Sequence, residues 1–314
     1  KGHESYQREG ISKAFFKMGG GKTQLLNVLA TKLPEPILSQ LYIERYVEPF
    51  VGSGALFFFL KRHFQVEESY LVDSNPELIL SFRVVQKDPE ALIQKLGKLE
   101  EAYFNLPEEK RSELFYHIRS QYNAQRHHLD YSRYNKGWIE RASWLIFLNK
   151  TCYNGLFRLN RKGEFNVPFG RYKNPTICSK TILQKASRAL QNTDIICGDF
   201  SLSARYIQKG TLVYFDPPYR PINATSNFTS YSKEGFSEAD QKRLAQFFRE
   251  MDRRGAYLIQ SNSDPKNENP EDDFFDNLYK GFIIERVPAK RFINCDASRR
   301  GEINELIIRN YGVS

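Results

Sequence analysis

The chain has 314 residues, 46 Lys and Arg against 37 Asp and Glu, and a formal net charge of +9. At 40% hydrophobic and 26% charged it reads as a globular protein of one large or two smaller domains, large enough to need no disulfide staples. Cys152, Cys178, Cys197 and Cys295 are scattered without a C-x-x-C pair, which argues against a zinc site or a disulfide framework. A reducing cytoplasm is expected. No apolar run reaches bilayer-spanning length and no signal peptide is seen. The excess of cations favours a polyanionic partner. Most of the 18 Tyr and 24 Phe belong in a core, though a base-stacking protein would use some of them.

Residues 1–13 are polar. Phe15-Phe16-Lys17-Met18-Gly19-Gly20-Gly21-Lys22-Thr23 then leads into an apolar-periodic run from Leu25 to Leu33, a glycine turn opening a helix. Glycines let the backbone approach a ligand, and a helix N-terminus favours negative charge. A Walker-type phosphate loop needs a glycine five residues before Gly21, and Phe16 stands there. Arg45-Tyr46-Val47-Glu48 is a short strand that runs into Pro49-Phe50-Val51-Gly52-Ser53-Gly54 and an apolar helix. Gly52 and Gly54 allow a tight turn against a ligand, but the spacing is not the dinucleotide fingerprint. A second strand, Ser69 to Val72, ends in Asp73, and Asn75 and Pro76 open a helix. A carboxylate at that strand end can accept from both hydroxyls of a ribose. A helix N-cap is the plainer role, which Ser74 or Asn75 can supply instead.

From about Val85 to Asn149 the pattern changes to long polar-periodic helices, expected at 89–104, 107–125 and 137–149. The segment 123–136 is rich in Arg, His and Tyr, and His127-His128 is expected to face solvent. Helices inserted between two halves of a nucleotide-binding sheet suggest a target-recognition subdomain at 87–175, with 1–86 and 176–314 forming the catalytic domain. The stretch 149–173 is punctuated by Gly155, Gly163 and Gly170 and reads as a hairpin with loops. Arg can grip guanine, Asn can grip adenine, and both can hold phosphates. A plain basic surface hairpin has the same composition.

A helix near 179–190 precedes a strand from Asp194 to Cys197 that ends in Gly198-Asp199-Phe200. Leu212-Val213-Tyr214-Phe215 reads as a buried strand that stops at Asp216-Pro217-Pro218-Tyr219, because proline gives no N–H to a ladder. Open α/β sheets hold ligands at such strand ends. Asp216 accepts from an amino group. The prolines stiffen the backbone so that a carbonyl can be held toward the same group, and Tyr219 offers a face for a flat ring. Together they describe a pocket for an exocyclic amine on an aromatic base; a strand with an ordinary proline turn is the alternative. The loop 220–236 is polar and aromatic and suits a lid. Ser237 caps a helix to about Arg253. A strand at Ala256–Ser261 follows, then a polar loop at 264–273. Two alternating strands, Phe282–Phe292 and Ile303–Tyr311, flank Ser298-Arg299-Arg300-Gly301, a phosphate contact or a solvated turn.

Asp216-Pro217-Pro218-Tyr219 resembles the catalytic motif of S-adenosylmethionine-dependent amino-methyltransferases that act on adenine N6 or cytosine N4 of DNA. The segment at 17–22 is similar to the amino-terminal motif of the Dam family of DNA adenine methyltransferases, Lys-Trp-Ala-Gly-Gly-Lys. Lys17, Gly20, Gly21 and Lys22 match, Met18 stands where the family has tryptophan, and Gly19 where it has alanine. Phe50-x-Gly52-x-Gly54 resembles the cofactor motif of DNA methyltransferases. Tyr153-Asn154-Gly155-Leu156-x-Arg158-x-Asn160, followed by Gly163-x-Phe165-Asn166-Val167-Pro168-Phe169-Gly170-Arg171-Tyr172, is similar to the hairpin of Dam-type enzymes that read GATC.

The resemblance covers roughly residues 13–311, with motifs in the α-type order. It implies an α/β, Rossmann-like methyltransferase sheet with helices on both faces plus a helical and β-hairpin recognition subdomain. It implies S-adenosylmethionine as cofactor, S-adenosylhomocysteine as product and no metal. The cofactor would be held by Met18, Lys22, Glu48, Phe50, Gly52, Gly54, Asp73, Asp199, Phe200 and Asp216. Asp216, Pro217, Pro218 and Tyr219 would be catalytic. Arg158 would read a base, supported by Asn160, Pro168 and Tyr172. Tyr153 would wedge into the stack, Asn154 would sit near the orphaned base, and Lys17 would reach the target. The implied partner is double-stranded DNA, with the chain a cytoplasmic monomer of prokaryotic or phage type that can be paired with a restriction endonuclease. Related RNA and protein-glutamine enzymes more often carry Asn-Pro-Pro-Tyr and cytosine-N4 enzymes Ser-Pro-Pro-Tyr, so Asp216 favours DNA adenine. A catalytically disabled DNA-binding homologue is the alternative from another class.

Overall fold

A computed structural model describes residues 22–220, 235–290 and 302–312. The described chain begins with helices α1 (Lys22–Thr31) and α2 (Glu35–Gln40), then β1 (Tyr42–Glu48), α3 (Ala55–His63), β2 (Gln65–Asp73) and α4 (Pro76–Lys87). Three helices follow with no strand between them: α5 (Pro89–Asn105), α6 (Arg111–Gln125) and α7 (Lys136–Thr151). After the irregular stretch to residue 179 come α8 (Lys180–Ala189), β3 (Thr193–Cys197), β4 (Leu212–Phe215), α9 (Glu238–Arg253) and β5 (Tyr257–Ser263). α10 (Phe274–Leu278), β6 (Ile283–Lys290) and β7 (Glu302–Arg309) complete it.

Among the described residues, seven strands form one sheet in the order β3-β2-β1-β4-β5-β7-β6. β3, β2, β1, β4 and β5 run parallel, and β7 pairs antiparallel with both β5 and β6. From β1 the chain steps outward through β2 to β3, then returns to place β4 on the other side of β1. That reversal makes a crevice at the carboxyl ends of β1 and β4, where open α/β sheets bind ligands.

The central strands are apolar on both faces because helices cover both. Along β4, Leu212 and Tyr214 join the core beneath α1, α3 and α4, while Val213 and Phe215 join the core beneath α9. Burying each such large apolar side chain contributes about 1.5–3 kcal/mol. The β3 edge is closed by α4: Arg83 donates twice to the Ile195 carbonyl, and Gln86 Nε2 donates to the Thr193 and Leu190 carbonyls. The opposite edge strand, β6, carries Pro288, which suits an edge because it has no N–H to leave unpaired.

Most expected elements appear within a few residues, and the differences have local causes. α2 was not foreseen; Pro34 and Pro36 flank its start, where a missing N–H costs nothing. α10 follows directly on the expected loop 264–273, and β5 extends to Ser263. The expected hairpin at 149–173 begins later, since α7 runs to Thr151. It is held by only two isolated bridges, Cys152 with Phe169 and Leu159 with Phe165.

Candidate active site

The Gly52-Ser53-Gly54 turn is tied to the end of β2. Gly52 and Gly54 have φ of 51° and 73°, in the left-handed region. A Cβ on Gly54 would lie 3.1–3.3 Å from the Phe58 and Phe82 rings, whereas at Gly52 it would meet nothing within 4 Å. Gly54 therefore serves packing, and Gly52 leaves an open side toward the crevice. Asp73 Oδ2 accepts from Gly52 N and Oδ1 from Asn75 N, each at 2.9 Å. Asn75 in turn caps α4 by accepting from Glu77 N at 3.0 Å, so the cap role does not fall to Asp73. Burial raises the Asp73 carboxyl above its ordinary value and the Asp216 charge adds to this, while the two amide donors oppose it.

Glu48, at the end of β1, is 2% exposed and accepts a hydrogen bond from the Tyr46 hydroxyl. It lines a narrow cleft with Leu25, Leu29, Gly52, Tyr214 and Asp216. Burial pushes the Tyr46 phenol well up, with the Glu48 charge adding to it. Burial, aided by the Asp216 charge, does the same to Tyr214 and Tyr219. These phenols stay protonated, and Tyr46 donates to the Glu48 carboxylate while Tyr214 meets the Ser261 hydroxyl. A cleft floored by Glu48 and Asp216, with Asp73 at its rim, attracts a cation and amino donors.

Asp216 leaves β4 at its carboxyl end, and Pro217 is buried behind it. Ser261 Oγ donates to Asp216 Oδ1 at 3.1 Å, and Gln241 Nε2 donates to the Pro218 carbonyl at 3.1 Å. Beyond Tyr219 the chain is anchored by Arg220, which bonds Asp272 at 2.8 Å and Glu238 at 2.9 Å and lies over the Phe274 ring. Sequence reasoning assigned no role to Ser261, Gln241 or Arg220. One signal was available: Gln241 shares the apolar face of α9 with Leu244, Ala245 and Phe248, and a buried glutamine there must be spending its amide on something.

Beside the cleft, Phe50, Phe200 and Phe236 form an aromatic group with centroids 5.3–6.3 Å apart. Arg243 lies 4.2 Å over the Phe200 ring and forks onto both Asp199 oxygens at 2.8 Å. The Arg243 guanidinium holds the Asp199 carboxyl well below the usual range, and Ser201 N also bonds it. Asp199 and Phe200 thus share one partner that the sequence did not reveal.

The recognition candidates lie together beyond α7, apart from the crevice residues. Tyr153 is 53% exposed, its N–H donating to the Pro168 carbonyl at 2.8 Å. Asn154 has φ 55°, and its N–H donates to the Tyr172 hydroxyl at 2.9 Å. Arg158 is exposed and braced by Asn166 through Nε to Oδ1 at 2.8 Å. Asn160 shapes the tip, its Oδ1 accepting from the N–H groups of Lys162 and Glu164. His127 and His128 are exposed. Lys17, Met18, the Lys22 side chain, residues 221–234 of the expected lid and Arg299-Arg300 lie outside the described residues.

A parallel-centred sheet with an acid-proline-proline-tyrosine turn at its switch point, beside a glycine turn clasped by the next strand's acid, has the architecture of an α/β amino-methyltransferase. The family model for D12 class N6 adenine-specific DNA methyltransferases matches residues 19–293, and the chain belongs to that family. Type II methyltransferase M.MjaIII of Methanocaldococcus jannaschii is 45% identical over 95% of this chain and 99% of its own length. Type II methyltransferase M1.LlaDCHI of Lactococcus lactis is 37% identical over 96% of each chain. A DNA adenine methylase of Vibrio cholerae is 32% identical over 94% of this chain and 95% of its own.

Proposed function

We propose that this enzyme transfers a methyl group from S-adenosylmethionine to N6 of a flipped-out adenine in duplex DNA, within the sequence GATC. The observation that carries the reading is the Asp216-Pro217-Pro218-Tyr219 turn at the carboxyl end of β4, at the point where the strand order reverses. The residues present fit the cofactor. Gly52 leaves room at the crevice and Asp73 keeps lone pairs for a ribose diol. Glu48 supplies a buried negative charge, and the packed Phe50 and Phe200 rings offer an apolar surface to a flat ring. When bound, S-adenosylmethionine supplies an electrophilic methyl on a sulfonium. Met18 and Lys22 belong to the same cofactor reading through the amino-terminal motif.

An adenine inside the stack is out of reach, so it must leave the helix, with Tyr153 filling the gap and Asn154 near the orphaned base. Asp216 and the Pro217 carbonyl accept the two hydrogens of the amino group, which turns the nitrogen lone pair away from the ring. Tyr219 stacks on the base. Positioning supplies much of the rate. Asp216 need not be a strong base, because the amine becomes acidic only as it gains the methyl. The chain divides into a catalytic part, 1–86 and 176–314, and a recognition part, 87–175. In the latter Arg158 reads a base, with Asn160, Pro168 and Tyr172 shaping the reader and Lys17 reaching the target from the amino-terminal segment.

The deciding experiment measures labelled methyl transfer to two duplexes that differ only in carrying GATC or GTTC. Transfer to the first alone supports both the chemistry and the target. Equal transfer removes the GATC assignment, and transfer to neither points to RNA, another target sequence or a protein disabled by Met18.

A further inference from the structure

Two consecutive residues of β5 hold the Asp-Pro-Pro-Tyr turn from opposite faces of the sheet, Ser261 directly and Asn262 through Gln241. The register pairs Phe215 with Gln260, so Asp216 and Ser261 follow side by side at the end of the ladder. Side chains alternate along a strand. Ser261 therefore shares the face of Ile259 and Tyr214, and Asn262 shares the face of Leu258 and α9.

On the first face Ser261 Oγ lies 3.1 Å from Asp216 Oδ1 and 2.9 Å from the Tyr214 hydroxyl. A serine hydroxyl has one proton. An ionised carboxylate only accepts, so that proton goes to Asp216 and Tyr214 must donate to Ser261. The relay runs one way, from Tyr214 through Ser261 to Asp216; burial, with the Asp216 charge adding to it, keeps the Tyr214 phenol protonated, as a donor must be. On the second face Asn262 Nδ2 donates to Gln241 Oε1 at 3.4 Å, and Gln241 Nε2 donates to the Pro218 carbonyl. Ser261, Asn262 and Gln241 are all fully buried. Buried polar side chains are kept where their bonds are needed, since apolar ones would fill a sheet interior at lower cost.

The catalytic turn needs both grips for a geometric reason. The terminal torsion of an aspartate is soft and roughly two-fold, so packing alone does not set the plane of its carboxylate. A proline fixes its own φ but not the direction of its carbonyl. Ser261 supplies the first constraint and the Asn262–Gln241 pair the second. Between them lies the Pro217 carbonyl, the other acceptor for the target amine. We infer that Ser261 and Asn262 are positioning residues: Ser261 sets the plane of the Asp216 carboxylate, and Asn262, through Gln241, sets the Pro218 peptide. This rests on the methyl-transfer reading above, which makes Asp216 and the Pro217 carbonyl held between these two constraints the grip on the amine.

The test compares wild type, S261A, S261T, Y214F, S261A/Y214F and Q241L, each first shown to unfold cooperatively near the wild-type temperature. Two readouts are taken. Crystal structures report the Asp216 carboxylate plane and the Pro218 carbonyl. Single-turnover rates on a GATC duplex are read beside the dissociation constants for DNA and S-adenosylmethionine. S261A should rotate the carboxylate and slow transfer by about 10–100-fold, with both dissociation constants within about two-fold. S261T keeps the hydroxyl and should restore most of the rate. Y214F should be nearly silent in the S261A background, because one relay is broken once. Q241L should turn the Pro218 carbonyl. An unmoved carboxylate in S261A, or S261T as slow as S261A, overturns the inference. Absence of transfer by wild type would instead count against the methyl-transfer reading, while the crystal structures would still decide the clamp.

Discussion

Arg141 grips Glu77 with two hydrogen bonds, Nε to Oε2 at 2.7 Å and Nη2 to Oε1 at 2.9 Å, while its Nη1 donates to the Tyr122 carbonyl at 2.6 Å. Glu77 stands in the first turn of α4, four residues after Asp73, and Arg141 is on α7 among the inserted helices. The Tyr131 hydroxyl also donates to Glu77, and the Arg141 guanidinium lies 3.8 Å over the Tyr122 ring. The pair joins the helix behind the candidate ribose site to the helix that leads into the recognition stretch. Its side chains are 1% and 7% exposed, so solvent does not screen it.

Removing one partner leaves a buried charge without compensation, which costs about 3–5 kcal/mol. R141M should therefore lower the unfolding temperature by on the order of 10 °C. The double variant E77Q/R141M removes both charges and should recover at least about 1 kcal/mol of that loss. Denaturant unfolding of the three proteins checks this. A single variant within about 0.5 kcal/mol of wild type would show the pair to be of no consequence.

D216A removes the proposed acceptor for the target amine while the fold retains its prolines and strand. Transfer should fall by at least about 100-fold, with S-adenosylmethionine binding weakened at most a few-fold. Filter-bound label and a calorimetric titration of the same preparations separate the two effects. Turnover close to wild type would remove Asp216 from the chemistry.

The crevice was legible in the sequence because each of its parts is a local signal. Proline ends β4, glycines turn after β1, an acid ends β2, and the runs between them have the period of buried strands or helices. The contacts that hold those parts in place were not legible, because they join residues far apart in the chain. Ser261 meets Asp216 only through the β4–β5 register. Arg243 meets Asp199 only because α9 packs against the turn that follows β3. Gln241 lies on the apolar face of α9, but that its amide reaches the Pro218 carbonyl is seen only in the fold. The stretch after α7 reads in the sequence as a hairpin with loops, and which side chains pin those loops is seen only in the fold. Its glycines and Pro168 leave it as loops pinned by side chains, such as Tyr172 on Asn154 and Asn160 on its own tip.

Arg158 and Tyr153 should separate reading from flipping. Arg158 is exposed, so R158A should leave stability within about 0.5 kcal/mol. It should reduce discrimination between GATC and singly altered sites by about 1–3 kcal/mol, roughly 10–100-fold in relative rate. Y153A removes an exposed ring and should keep that discrimination. It should lower the fluorescence rise of 2-aminopurine placed at the target position, which reports unstacking. Undiminished discrimination in R158A would assign base reading elsewhere.

In the proposed site Asp73 should link cofactor binding to pH. Its carboxyl is raised mainly by burial, with Asp216 adding to the rise and the Gly52 and Asn75 amides opposing it. The folded protein therefore holds this proton more tightly than the unfolded chain. Asp73 contributes stability that is fully present below the ordinary carboxylate value and is lost as pH rises through the raised one. Binding has the opposite demand. A ribose diol donates its hydrogens, so the site needs the carboxylate, and binding must expel the proton where Asp73 still carries one. Affinity for S-adenosylmethionine should weaken as pH falls from 7 through the raised value, approaching ten-fold per unit below it, with proton release visible as a buffer-dependent heat. D73N should bind weakly at every pH and lose that dependence. It should also shed one amide bond, since an asparagine oxygen and nitrogen cannot both accept from Gly52 and Asn75. Calorimetric titrations from pH 7 down through the ordinary carboxylate range, to about pH 3.5, in two buffers of different ionisation heat decide it. A dissociation constant that stays flat across that range would mean that the Asp73 carboxylate serves only to clasp the glycine turn.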